Sequence, residues 1–261
     1  MLPEPDPLSP VSGPARPFVD AYLRARDLEH RLLPDDDVVR ALPGRPEGDP
    51  LADEWRQRAD TARRFTRYLA AAGRPLKVSD LGCGNGWFTA RMAAIAHVTA
   101  TGIDVNLHEL EQARRVFGGR PRLDFVHDDF VSGHYGGRCH GEAPDIAVIA
   151  STLQYVADPS SFLRSLLGAL APGGEIHVLD SPIYDPTDVA AARERTRAHY
   201  QRIGVEEMVE HYYHHDWRVF DGLGHDVLHR PSTVVHRAQR RLLRRPVSQF
   251  PWIRITAGEA R

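Results

Sequence analysis

Residues 78–89 read VSDLGCGNGWFT. The loop follows an expected strand, Lys77–Leu81, and opens an expected helix near Phe88–Ala94. Between them stand Gly82, Gly84 and Gly86, three glycines at alternate positions. Such a loop lets backbone pass close to a ligand without Cβ interference. The helix that follows offers unpaired N–H groups at its start. A G-x-G-x-G loop alone identifies a nucleotide side and no more, because several enzyme classes use related loops. Asp80, just before the glycines, narrows it: a carboxylate there can accept from a ligand ammonium and would repel a phosphate.

Outward from this loop, short apolar runs alternate with helical segments, the pattern of a parallel sheet with crossover helices. Strands are expected at Lys77–Leu81, Val98–Asp104, Leu123–His127, Ile146–Ala150 and Glu175–Asp180. Helices are expected near Phe88–Ala94, Leu107–Phe117, Ser160–Leu170 and Thr187–Ile203. Asp216–Phe220 and Trp252–Thr256 read as two more strands, with a helix over Ser232–Arg245 between them. Upstream, Phe18–Leu33 and Leu51–Ala72 carry apolar stripes at helical spacing, and Gly73 suits a helix stop. The expected fold is α/β: a Rossmann-like, seven-stranded, mostly parallel sheet with helices on both faces, N-terminal helices, and a helical insertion after the fifth strand. The expected divisions are an arm and helix over 1–50, a Rossmann-like core over 51–182, a helical lid over 183–215, and C-terminal strands with an intervening helix over 216–261.

Three further strand ends carry polar groups. Gly102-Ile103-Asp104 places an acid where it can take both hydroxyls of a ribose, and Val105 follows it. His127-Asp128-Asp129-Phe130 offers a carboxylate for an adenine amino group and a ring to pack beside it. Ser151 ends the fourth strand, where a backbone carbonyl can face the ligand. Leu170-Ala171-Pro172-Gly173-Gly174 is a helix stop and turn before the fifth strand.

The order DLGCGNG, GIDVN, HDDF, ASTLQYV and LAPGGEIHVLD resembles the class I S-adenosylmethionine-dependent methyltransferases over about Lys77–Pro182. The resemblance implies S-adenosylmethionine as cofactor. It implies that Asp80 and the loop Gly82, Cys83, Gly84, Asn85 and Gly86 hold the methionine portion and that Asp104 holds the ribose. It implies Asp129 at the adenine, with Asp128 and Phe130 beside it, and Ser151 and Thr152 flanking the sulfonium. The family's usual glycine before the adenine carboxylate is Asp128 here.

Ligands of open parallel sheets bind beyond the carboxyl ends of the strands. Leu153, Gln154, Tyr155 and the stretch Asp180–Asp185, with Tyr184, should therefore face the transferred group. A sulfonium methyl is already activated, so the protein must align the acceptor and remove its proton where one has to leave. His211-Tyr212-Tyr213-His214-His215-Asp216-Trp217 is the richest candidate for that work, its bland reading being a helix end with packed rings. Tyr155, Tyr184, His214 and His215 are the candidate catalytic groups. His211 and His215, and likewise His225 and His229, stand four apart as in helical metal sites, but no third ligand is identifiable and no metal is expected.

Composition is consistent with this reading. The chain has 261 residues, a formal net charge of −2 and 42% hydrophobic content, enough for a good core. Lys77 is the sole lysine, so abundant arginine reflects a general preference. Arg237, Arg240, Arg241, Arg244 and Arg245 could line one helix face, but no aromatic residues interleave with them, and nucleic acid is not the expected partner. The two cysteines, Cys83 and Cys139, form no CxxC pair. No apolar run approaches a membrane span, and a cytoplasmic setting is the default expectation. The N-terminal helices read as a cap on the substrate cleft or a homodimer contact. The leading function is methylation of O, N or C on a small organic acceptor, in secondary metabolism. A non-methylating cyclase or decarboxylase on the same fold, and an RNA-directed methyltransferase, are the alternatives.

Overall fold

The computed structural model describes residues 15–130, 142–231 and 248–256. Its centre is a seven-stranded sheet in the order β3-β2-β1-β4-β5-β9-β8. The strands are β1 (Leu76–Leu81), β2 (Val98–Asp104), β3 (Leu123–His127), β4 (Ile146–Ala150), β5 (Glu175–Leu179), β8 (Gly224–His229) and β9 (Trp252–Thr256). The first five run parallel, and β9 and β8 are antiparallel. The expected α/β class and the seven-stranded, mostly parallel sheet are both present. β1 pairs with β2 and β4 in a register that sets Asp80 beside Gly102, and Leu81 beside both Ile103 and Ile149.

Alternation along each strand builds two cores. Val78, Ala100 and Val148 face one side with Phe65 of α3 (Ala52–Ala71), Phe88 and Met92 of α4 (Trp87–Ala93), and Leu110 of α5 (Leu107–Phe117). Leu81, Ile103, Ala147 and Ile149 face the other, with Leu163 and Leu166 of α6 (Pro159–Ala169). Helix starts follow capping chemistry: the Asn106 side chain accepts from Glu109 N, and that of Asp158 accepts from Ser161 N ahead of Pro159.

Over the carboxyl ends of the strands lies a third, smaller core. There α1 (Arg16–Leu28) contributes Ala21 and Ala25, α7 (Val189–Ile203) contributes Tyr200, and the following segment contributes Val205 and Met208. The first helix is shorter than the expected Phe18–Leu33. A second one, α2 (Asp36–Ala41), follows, started by Asp35, whose carboxylate accepts from Asp37 N.

Two expectations are corrected. Asp216–Phe220 is not a strand of the sheet. Asp216 ends a two-residue strand, β7 (His215–Asp216), which pairs with β6 (Ile183–Tyr184). Its carboxylate then accepts from Arg218 N at 2.9 Å and folds Trp217–Phe220 into a 3-10 turn with Phe220 buried. The missing strand is β8. His225 and His229 lie on that extended strand, and His215 on β7, so neither histidine pair has the helical spacing that brings such rings together. The expected helix over Ser232–Arg245, with its arginines, and Cys139 lie outside the described residues. Among the described residues, no helix is long and apolar enough to cross a membrane.

Candidate functional site

The glycine loop turns back against β2 and β4. Gly82 has φ +76°, and a Cβ there would lie 2.3 Å from Thr152 Oγ1. Gly86 has φ +74°, and a Cβ there would lie 2.5 Å from the Phe125 ring. Only glycine meets both demands at either position. The loop is held by Asp104, whose Oδ2 accepts from Gly84 N at 2.7 Å and whose Oδ1 accepts from Asn106 N at 2.8 Å.

Three connected cavities open above this loop, and Tyr22 and Ser151 line all of them. The first, about 290 Å³, is lined by Gly82, Gly84, Asp104, Val105, Asp129 and Phe130, and is covered by Phe18, Val19 and Tyr22 of α1. The second, about 110 Å³, is lined by Asp80, Gly82, Cys83, Gly84, Asn85 and Trp87. The third, about 530 Å³, lies beyond β4 and β5 among Gln154, Tyr155, Asp180, Pro182, Tyr184 and residues of α1, α3 and α7. The roof helix α1 thus closes both the loop side and the far side.

Most of the expected ligand-side residues converge here. Asp128 and Gly86 do not line these cavities; the backbone N–H of Asp128 donates to the Asp104 carbonyl at 3.1 Å, and Asp129 is the member of the pair that faces the cavity. Cys83 is buried, and burial pushes its thiol up, so it remains a protonated packing group.

The electrostatics of the loop side are acidic. Asp80 is buried and accepts from Thr89 Oγ1 at 2.6 Å; burial raises its carboxyl to about 7 despite that bond, with Asp104 adding to the rise. Burial also raises Asp104. Glu109 lines both smaller cavities and is pushed to about 7 by burial and then by Asp104. Sequence reasoning missed Glu109. Its one visible signal is the N-x-x-E spacing from Asn106; Asn106 Oδ1 accepts from Glu109 N at 3.4 Å and Asn106 Nδ2 donates to Glu109 Oε2 at 2.9 Å. Buried Asp80 and Asp104 with half-buried Glu109, Asp104 raising both of the others, suit a cationic ligand.

On the far side the four catalytic candidates separate. Tyr155 and Tyr184 line the large cavity. His214 stands behind it, its ring 5.6 Å from that of Tyr184 and 5.2 Å from that of Tyr212, with Nε2 2.8 Å from Thr196 Oγ1. Burial, then Arg193, lowers His214 to about 4, so it is neutral near pH 7 and lacks the basicity expected of an ordinary histidine. His215 is buried, with Nε2 3.1 Å from the Leu153 carbonyl, and does not line the cavity. Another group missed as a named candidate is Asp180. It lines both the second and third cavities, has a left-handed backbone with φ +47°, and accepts at Oδ1 from Thr61 Oγ1 (2.6 Å) and Ser248 Oγ (3.1 Å). Among the described residues no group of three or more His, Cys, Asp or Glu could hold a metal ion.

Residues 79–176 match the family model described as a methyltransferase domain. Trans-aconitate 2-methyltransferase of Paracidovorax citrulli is 35% identical over 102 residues, 39% of this chain and 37% of that protein. Ubiquinone biosynthesis O-methyltransferase of Citrobacter koseri is 31% identical over 101 residues, 38% of this chain and 40% of that protein. The matched region thus spans about two fifths of the length of these relatives. In fold, the chain is similar to magnesium protoporphyrin IX methyltransferase from Synechocystis PCC 6803 with bound S-adenosylmethionine, with a TM-score of 0.58 and 14% identity over 96% of this chain and 100% of that one. Residues 79–176 are thus similar to a methyltransferase domain, and the chain shares the fold of a methyltransferase that binds S-adenosylmethionine.

Proposed function

We propose that this protein transfers the methyl group of S-adenosylmethionine to a small organic acceptor. The observation that carries the proposal is the cluster of buried Asp80 and Asp104 with half-buried Glu109 around the glycine loop. A ligand bearing an ammonium and a sulfonium offsets their negative charge, and Asp104, which accepts from Gly84 N and Asn106 N, borders the first cavity, where a ribose diol would sit. Asp129 and Phe130 border the opposite end, where an adenine would sit.

S-adenosylmethionine is consumed here as the methyl-donating substrate. The protein's part is to align the acceptor in the large cavity and take its proton. Asp180, at the junction of the two sides, is the group we assign to the proton: Thr61 and Ser248 fix one carboxylate oxygen and leave the other to accept it. Tyr155 and Tyr184 contact the acceptor from the cavity wall. His214 holds Tyr184 and Tyr212 in place, and His215 ties the insertion to the turn after β4. The segment from 183 to 215 and α1 act as a lid. Incubation with methyl-labelled S-adenosylmethionine and a panel of phenols, amines and carboxylic acids tests the reading. Label in a product extracted free of protein supports it; binding without label in any product, or label in RNA alone, contradicts it.

A further inference from the structure

Five tyrosines border the large third cavity: Tyr22, Tyr155, Tyr184, Tyr200 and Tyr212. Four of them form one chain of ring contacts. The Tyr155 ring meets those of Tyr22 and Tyr212 edge to face, each at 5.7 Å, with interplanar angles of 89° and 90°. The Tyr212 ring in turn lies 6.2 Å from that of Tyr200 at 61°. Such packing holds the rings in fixed orientations and favours a further ring in the same arrangement. Burial raises the hydroxyls of Tyr22, Tyr184, Tyr200 and Tyr212 above the ordinary phenol range, so these rings are uncharged.

The charged side chains around this belt answer one another. Glu54 has Oε2 2.8 Å from Arg31 Nη2 and Oε1 3.0 Å from Arg58 Nη2. Glu29 Oε2 lies 3.5 Å from Arg31 Nε and 3.8 Å from Arg26 Nη1. Glu109 lines the second cavity with Arg26 and Arg58, and both guanidiniums favour its ionised form. Three guanidiniums thus face three carboxyl groups. Of the other charged groups described around the large cavity, Arg195 lies at the exposed rim and Asp180 is the group assigned to the acceptor's proton.

The cavity's size adds a second constraint. At about 30 Å³ for each non-hydrogen atom, the share of a water molecule in the liquid, its volume of about 530 Å³ has room for about 18 such atoms, more than one ring system. An aliphatic amine or a carboxylic acid would enter charged. A phenol enters neutral, and its hydroxyl is acidic enough to yield its proton to a carboxylate whose basicity burial has raised.

We propose that the acceptor is an uncharged, planar phenol of two or more rings, seated along Tyr22, Tyr155, Tyr212 and Tyr200 with its hydroxyl at Asp180. The inference names the acceptor class for the proposed methyl transfer and rests on it. In the step, the phenol oxygen bonds to the methyl carbon while the sulfur–methyl bond breaks and its electron pair returns to sulfur. The phenol proton passes to Asp180 Oδ2, and the products are the aryl methyl ether and S-adenosylhomocysteine.

Equilibrium binding to the full chain saturated with S-adenosylhomocysteine tests the class at neutral pH. The probes are 2-naphthol, its saturated counterpart decahydro-2-naphthol, the charged 2-naphthoate, and phenol with its single ring. 2-Naphthol should bind about tenfold or more tighter than each of the others, the difference that two edge-to-face ring contacts supply. Tyr212→Leu should lose about fivefold in 2-naphthol affinity, and Tyr212→Phe, which keeps the ring, should stay within about twofold of wild type. Tyr212 does not line the two smaller cavities, so S-adenosylhomocysteine affinity should hold in both variants. With S-adenosylmethionine, wild type should form 2-methoxynaphthalene. Phenol or decahydro-2-naphthol binding as tightly as 2-naphthol overturns the multi-ring aromatic class, and 2-naphthoate binding tightest overturns the uncharged one. 2-Naphthol that binds without yielding its methyl ether overturns the phenolic transfer. Should Tyr212→Leu fail to fold, the probe series on wild type decides the class by itself. Wild type that binds no S-adenosylhomocysteine contradicts the methyl-donor reading instead, and the same series run without it still decides the cavity's preference.

Discussion

Ser151 and Asp180 stand side by side at the carboxyl ends of β4 and β5, and Ser151 Oγ donates to the Asp180 carbonyl at 3.2 Å. Both have left-handed backbones, with φ +57° at Ser151 and +47° at Asp180. Non-glycine residues in that region carry strain of about 1–3 kcal/mol, which neighbouring structure must hold in place. Here the holding groups are Thr61 and Ser248, and the carboxylate borders both the second and the third cavity.

Asp180→Asn keeps an oxygen for Thr61 and Ser248 but cannot take a proton. Methyl transfer to a protic acceptor should fall by about 10²-fold or more. Affinity for S-adenosylhomocysteine should stay within about threefold. Rates measured across pH should also lose the acidic limb seen in wild type. An unchanged rate and pH profile would remove Asp180 from the proton's path.

Asp104→Ala removes the acceptor for Gly84 N and Asn106 N together with the proposed ribose contact. Hydrogen bonds to a charged group are worth about 1.5–3 kcal/mol each. Donor affinity should fall at least 100-fold by calorimetry, and the melting temperature should drop as the loop loses its anchor. Wild-type affinity in this variant would contradict the site assignment.

Donor binding should depend on pH between about 5.5 and 8. Asp80 and Glu109 are raised from ordinary values of 3.8 and 4.5 to about 7. In that interval the folded, ligand-free protein binds more protons than the unfolded chain, so these two groups make stability fall as pH rises toward 7. A cationic ligand favours the ionised form. Its affinity should therefore climb with pH, by up to about tenfold per unit for each group that must release its proton, and level off above pH 7. Melting curves with and without S-adenosylmethionine over this range check both signs. A ligand-induced shift in melting temperature that is flat with pH would contradict them.

Gly82→Ala should destabilise the chain by about 1–3 kcal/mol, because φ +76° and a Cβ at 2.3 Å from Thr152 Oγ1 cannot both be accommodated without movement. Gly173, also with a left-handed backbone at φ +76°, has open space around its Cβ position, so Gly173→Ala should cost less. Denaturant midpoints of the two variants check the order.

The parallel half of the sheet was legible because its signals are local. Apolar runs, glycines at forced turns and acids at strand ends sit within a few residues of one another. β8 was hidden because it is a largely exposed edge strand whose sequence GHDVLH has little apolar alternation. Trp217–Phe220 imitated a strand in composition, while one hydrogen bond from Arg218 N to Asp216 decided otherwise. Glu109 was masked by its capping role. The meeting of Arg26, Arg31 and Arg58 exists only in three dimensions, and a chain rich in arginine conceals it. The acceptor wall is equally nonlocal, since it draws on α1, α3, α7 and the segment around Gln249.

The central claim is that the acidic cleft around Asp80, Asp104 and Glu109 holds S-adenosylmethionine. Calorimetric titration of the intact chain with that compound at pH 8 tests it most directly. The account predicts saturable binding of one molecule per chain at micromolar concentration, about −8 kcal/mol at 1 μM. Absence of saturable heat up to millimolar ligand would contradict it.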